Sequence, residues 1–156
     1  MATANSETAH PLGFVDIVDE LTANDADGSL HLSTRLGRTV TTIVDFDRQS
    51  ADWVQWCHRH RIPVYFVPDA STGRITDIAR TSRGRLDRAI EQDGVLKVTL
   101  DREAAVFRVI DSERVRLAEL LLRPDRRGAA IFLAHKSDVR VFDAGFLDPR
   151  LETLDP

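Results

Sequence analysis

Asp27-Gly28 stands just before the alternating run Leu30-His31-Leu32, and 66 residues later Asp93-Gly94 stands just before Val95-Leu96-Lys97-Val98. Asp47 and Asp111, each at the junction between an apolar run and a helix-like stretch, lie 64 residues apart. Paired features that keep nearly one spacing are the mark of an internal repeat of pattern. A chain of 156 residues is long enough to place two such small repeats around one core.

The elements between these markers follow from periodicity. Phe14, Ile17, Val18 and Leu21 fall at helical spacing, as do Leu86, Ala89 and Ile90. Asp-Gly ends each of these helices. "LHLS" and "TVTTIVDF" read as one pair of strands, and "VLKVTL" and "AAVFRVI" as the next. Ser50 caps a helix that Pro63 stops, with Trp53, Val54 and Cys57 on its apolar stripe and Trp56 at the stripe's edge. Asp111 caps its counterpart, in which Val115, Ala118 and Leu122 share a face beside Leu117 and Leu121. "IPVYFV" with "RITDIA", and "GAAIFLA" with "DVRVFDA", close each repeat as hairpins.

The expected form is α+β: two α-β-β-α-β-β repeats, their antiparallel β-hairpins covered by helices on one face. Residues 1–12 read as a flexible tail, 13–80 as the first repeat, 81–144 as the second repeat sharing one core, and 145–156 as an acidic tail. Leu30, Leu32, Val64, Phe66, Leu96, Val98, Ile131 and Leu133 are the expected core.

Composition narrows the function classes. With 42% hydrophobic and 29% charged residues the chain reads as a soluble folded protein, and no run nears the roughly 20 apolar residues that span a bilayer. The first residues lack the basic and apolar regions of a signal peptide, and a single cysteine suits a reducing cytoplasm. The sequence holds no Walker-type loop, GxGxxG fingerprint, GxSxG elbow or HExxH helix. The net charge of −4 is unevenly spread: residues 1–28 sum to −6, 59–90 to +4, and 143–156 to −3. The basic middle, with Arg59, Arg61, Arg74, Arg80, Arg83 and Arg85, is the candidate nucleic-acid-binding surface. A solvated, internally compensated connection is the alternative reading. Sparse aromatic residues argue against single-strand stacking.

Other candidates are local. Asp27 and Asp93 read either as residues of favoured Asp-Gly turns or as a pair of carboxylates able to hold Mg²⁺ and activate water on a phosphodiester. Asp45 and Asp47 in "VDFD" share one face of a strand end, as a metal-binding pair would, but Asp47 reads as a residue that starts the following helix. Cys57, His58 and His60 lack the second ligand cluster that zinc generally needs, and Cys57 reads as core.

The order helix, hairpin, helix, hairpin, with "DADGSLHL" ending the first helix, resembles the LAGLIDADG homing-endonuclease family over residues 13–91 and, more loosely, 84–143. The family's nine-residue signature falls on 20–28 and 86–94, with Thr22 and Arg88 where it uses glycine. The resemblance implies a saddle of antiparallel strands lying on duplex DNA, with Asp27 and Asp93 at a Mg²⁺ site where two helices meet.

The leading expectation is a small nucleic-acid-binding module with weak or no nuclease activity. A protein-interaction or oligomerisation module using an exposed strand edge or Trp56 is the rival, and a metal-dependent phosphodiesterase is third.

Overall fold

Phe14–Asp16 (β1) and Val18–Ala23 (β2) are strands, in the segment where residue spacing predicts the first helix. The computed structural model describes residues 12–23, 29–41, 48–69, 71–136 and 138–152. After β2 come β3 (Leu30–Thr34), β4 (Thr39–Thr41), helix α1 (Arg48–His60) and β5 (Val64–Pro68). The long β6 (Ile75–Gln92) is followed by β7 (Val95–Leu100), β8 (Phe107–Val109), α2 (Arg114–Leu121), β9 (Ala130–His135), β10 (Arg140–Phe146) and the short α3 (Pro149–Glu152). The chain is mixed α+β, with cores built mostly on sheet.

Both helices expected at the start of a repeat are strands, for one physical reason. The pairing of β2 with β3 slips between Val18 and Glu20, so Val18 and Leu21 reach the same core three residues apart. The pairing of β6 with β7 slips between Leu86 and Arg88, which sets Leu86 and Ala89 against one core, again three apart. Such an irregularity adds one residue to the period of two, and the result imitates helical spacing. The segments expected as the opening helices of the two α-β-β-α-β-β repeats are therefore strand. The stretches 20–23 and 86–92, where the LAGLIDADG resemblance implies signature helices, lie in β2 and β6.

The chain divides into two units, residues 13–80 with the stretch from Asp148, and residues 81–147 with Leu12. In the N-terminal unit β2, β3 and β4 form an antiparallel meander, while β1 pairs with β5 and β5 with the first part of β6. The partner changes across Ile17: Asp16 pairs with Val64 of β5, and Val18 with Thr34 of β3. Helix α1 lies against β2 and buries Val54 and Cys57 with Leu30, Leu32, Val64 and Phe66. It ends where Arg61 turns left-handed (φ 55) and the Ile62 amide donates back to the Cys57 carbonyl at 2.9 Å.

The C-terminal unit is a closed ring of strands. Its part of β6 pairs with β7, β7 with β8, β8 in parallel with β10, and β10 with β9. β9 returns to β6: the Leu86 amide donates to the Ala129 carbonyl, and Ser82 meets His135, so the two strands run antiparallel. Five strands in this order, with the third and fifth parallel and a helix between third and fourth, have the connectivity of an OB-fold barrel. Leu96, Val98, Ile131 and Leu133 fill it as expected.

Helix α2 packs on β7 and β10 through Leu117 and Leu121, expected beside its apolar face, with Ala118 at the core's edge, while the expected face itself is only partly used. Leu117, Leu120 and Leu121 are buried, whereas Val115 is 69% exposed and Leu122 sits at the helix end. The acidic stretch expected as a tail from residue 145 begins inside β10 and continues into α3, where Leu151 is buried.

Candidate nucleic-acid interface

On the barrel's strands, buried residues alternate with outward ones. In β7, Leu96, Val98 and Leu100 point inward and Lys97 and Thr99 outward; in β8, Arg108 stands exposed between buried Phe107 and Val109. Arg140 opens β10, exposed beside buried Val141. Register then decides what these side chains make together. Lys97 is directly opposite Arg108, and Arg108 directly opposite Arg140. Three cations thus form one row across three adjacent strands, spanning roughly 10 Å of backbone.

Like charges directly opposite on a sheet repel. The row is only partly compensated. Asp138 accepts from Arg140 Nε at 2.7 Å, and both groups are well exposed to water. The Arg140 backbone amide and then its side chain hold the Asp138 carboxyl below its ordinary range. Lys97 Nζ donates to Gln92 Oε1 at 3.4 Å, a neutral partner. Arg108 makes no ion pair among the described residues. On β6 the row meets Ile90, opposite Lys97, so its fourth position is apolar.

Two connections flank the row at opposite ends. One is the β6–β7 turn, where Gln92 faces Val95 across the two residues Asp93 (φ 55) and Gly94 (φ 77). Two successive left-handed residues make the tight hairpin turn that Asp-Gly favours. The other connects β9 to β10 and carries Lys136, whose ammonium lies 5.9 Å from the centre of the Phe142 ring.

The residues chosen from sequence are distributed between the units. Arg59, Arg61, Arg74 and Arg80 belong to the N-terminal unit, and Arg83 and Arg85 to the barrel. Arg61 Nη1 reaches Asp19 at 3.7 Å. Arg85 spends one guanidinium hydrogen bond on the Gly128 carbonyl at 3.1 Å, and Arg83 is half-buried. Trp56 is 43% exposed, its ring 4.6 Å from that of His60 one turn later. Asp27, Asp45 and Asp47 lie outside the described residues, and among the described ones no three His, Cys, Asp or Glu side chains gather around a common point.

Cys57, His58 and His60 do not converge. Cys57 is fully buried, and burial pushes its thiol up to about 12 against a small opposing effect of the Arg80 charge. His58 Nε2 meets the Asp19 carbonyl at 3.0 Å, and the His60 ring lies tilted at 43° against that of Trp56.

Lys97 and Arg108, with Arg140, escaped the sequence reading because it weighed clusters of charge. Their signal was present: "VLKVTL", "VFRVI" and "DVRVF" each place one basic residue at the outward position of an otherwise apolar strand. Comparison with protein-family models, with curated proteins and with solved structures finds no match to this chain.

Proposed function

We propose that the C-terminal barrel binds duplex nucleic acid through its phosphates, across the outer face of β7, β8 and β10. The in-register row Lys97–Arg108–Arg140 carries this reading. A phosphodiester backbone supplies the counter-charge that the row lacks, at the few-ångström spacing of adjacent strands. The row contains no aromatic side chain, which favours phosphate contacts over base stacking. The barrel's connectivity adds support by analogy, since OB-folds commonly bind oligonucleotides on the face of their second and third strands, here β7 and β8.

The test is a titration of a short duplex at several salt concentrations. The wild type should bind at low salt and weaken steeply as salt rises. Lys97→Ala/Arg108→Ala should lose roughly tenfold in affinity and flatten the log–log salt slope by about two charges. Absence of binding at low salt, or an unchanged slope in the double variant, would overturn the reading.

A second reading has its own observation. An exposed tryptophan is a common anchor for protein contacts, and Trp56 presents one in the N-terminal unit, its ring tilted against that of His60. Failure of nucleic-acid binding, with retention of a protein partner that Trp56→Ala releases, would favour it.

A further inference from the structure

The barrel carries a second basic feature of different shape. Between β6 and the end of α2 lies an open groove of about 680 Å³, within the usual range of small-molecule sites. Arg88 enters it from β6, and Arg123 and Arg127 from the segment after α2. Ala89, Leu122 and Pro124 supply apolar wall. Asp87 is the one carboxylate lining it, and its Oδ2 accepts from Thr99 Oγ1 at 3.2 Å. Three guanidiniums against one carboxylate leave two positive charges in the groove.

Those guanidiniums have little structural employment. Arg88 and Arg127 make no ion pair among the described residues. Arg123 has only a 3.7 Å contact with Asp125, both groups more than 60% exposed, which water and salt screen almost entirely. Arg126, in the same run, behaves differently: its Nε donates to the Leu120 carbonyl at 3.2 Å and its guanidinium lies over the Phe146 ring at 4.9 Å. The Pro124–Arg126 turn thus ties down its own last residue and leaves the arginines on either side of it at the groove.

We propose that this groove binds a small organic phosphate whose dianionic head is held by Arg88, Arg123 and Arg127 and whose apolar body lies on Leu122, Pro124 and Ala89. A phosphate monoester offers three guanidiniums three terminal oxygens and up to two negative charges, where a carboxylate offers two oxygens and one charge, so three arginines favour the phosphate. The apolar wall separates such a ligand from inorganic phosphate, which would leave it wet.

Calorimetric titration of the full chain with n-octyl phosphate below its micelle concentration, with inorganic phosphate and with the neutral octyl glucoside tests this. Octyl phosphate should bind one per chain, at least about tenfold more tightly than inorganic phosphate, and octyl glucoside should give no heat. Arg123→Ala/Arg127→Ala should weaken octyl phosphate by at least about tenfold, while Lys97→Ala/Arg108→Ala leaves it unchanged. Arg88→Ala provides an independent arm should the double variant fold poorly, with the same direction expected. Octyl phosphate binding no tighter than inorganic phosphate, or binding that survives these substitutions, overturns the proposal. So does a double variant that loses only duplex binding, since the arginines would then serve the nucleic-acid face.

Discussion

The N-terminal unit and the C-terminal barrel share an order of elements and differ in what they do with it. In each, the first strand changes partner part-way, a helix precedes the fourth strand, and the fourth and fifth strands form a hairpin. Their outer faces diverge. Thr22, His31 and Thr41 stand in register across the N-terminal meander. There His31 meets the hydroxyl groups of Ser29 and Thr41, each at 3.3 Å. These contacts tie His31 to its hydroxyl-bearing neighbours on that face. The corresponding barrel row is Ile90, Lys97, Arg108 and Arg140, and it keeps an excess of positive charge. A similar order of elements along the chain thus carries a hydroxyl- and imidazole-lined row in one unit and a cationic row in the other, and outward residues make the difference.

The fifth strands sharpen this contrast. Arg74-Ile75-Thr76-Asp77 and Arg140-Val141-Phe142-Asp143 repeat one pattern, and the register with the preceding strand slips at the same place in both. Each aspartate accepts the next backbone amide, Ile78 at 2.9 Å and Ala144 at 3.0 Å. Asp77 remains exposed, whereas Asp143 is fully buried. Asp143 takes a guanidinium hydrogen bond from Arg116 at 2.9 Å and the Leu12 amide at 2.7 Å. Arg116 also holds Glu113 at 2.8 Å. Burial opposes the Arg116 charge, yet its bonds to Glu113 and Asp143 outweigh that and hold its pKa above the ordinary value. Without Asp143, Arg116 keeps Glu113 but loses its buried counter-charge, and the Leu12 amide loses its acceptor. Asp143→Ala should therefore cost about 3 kcal/mol or more of unfolding free energy in urea. Asp77→Ala should cost under about 1 kcal/mol. Equal losses would break the comparison.

The helices give the next contrast, read as chemical reactivity. Cys57 in α1 takes the core place that leucines take in α2. Only the thiolate reacts with iodoacetamide, and at pH 8 a thiol titrating near 12 is ionised roughly a thousandfold less than one at its ordinary 9.0. Native protein should therefore resist alkylation until denaturant is added. The linkage runs in one direction: the native thiol keeps its proton while the unfolded one loses it above about 9, so this group's contribution to stability falls as pH rises from 9 towards 12. Rapid native labelling at pH 8, counted by mass spectrometry, would show that α1 opens in the native protein and that burial does not protect Cys57.

Much of this architecture was legible in the sequence, and what was misread failed locally. The eight core residues chosen from alternation are all buried, because strand periodicity survives wherever pairing is regular. It failed at Val18–Leu21 and Leu86–Ala89, where a slip in pairing turned two into three. The better repeat markers were Gly13-Phe14-Val15-Asp16 with Gly84-Arg85-Leu86-Asp87, and the two Arg-x-x-Asp stretches of the fifth strands. The Asp-Gly spacing placed helices where the chain forms β2 and the second part of β6. The basic row was hidden for another reason. Its members are 11 and 32 residues apart in sequence, and only strand register brings them side by side.

The paired glycines permit the finest distinction between the units. A Cβ on Gly13 would collide with the Phe66 backbone carbonyl and come within 2.8 Å of the Tyr65 ring, both fully buried residues of β5. Neither neighbour can yield without moving the strand. A Cβ on Gly84 would meet Asp101 Oδ1 at 2.9 Å, then Leu100 Cβ at an ordinary 3.5 Å. The Asp101 carboxylate can swing aside, giving up its hydrogen bond from the Arg85 amide at 3.0 Å. Overpacking against backbone costs on the order of 1–3 kcal/mol, so Gly13→Ala should lower stability by about 2 kcal/mol. Gly84→Ala should lose no more than about 1 kcal/mol, the value of one exposed hydrogen bond. Thermal unfolding of both variants beside the wild type measures the difference. A larger loss at Gly84 would mean that the start of the barrel's first strand is the tighter of the two, and that the partner change at Ile17 tolerates more bulk than its close packing implies.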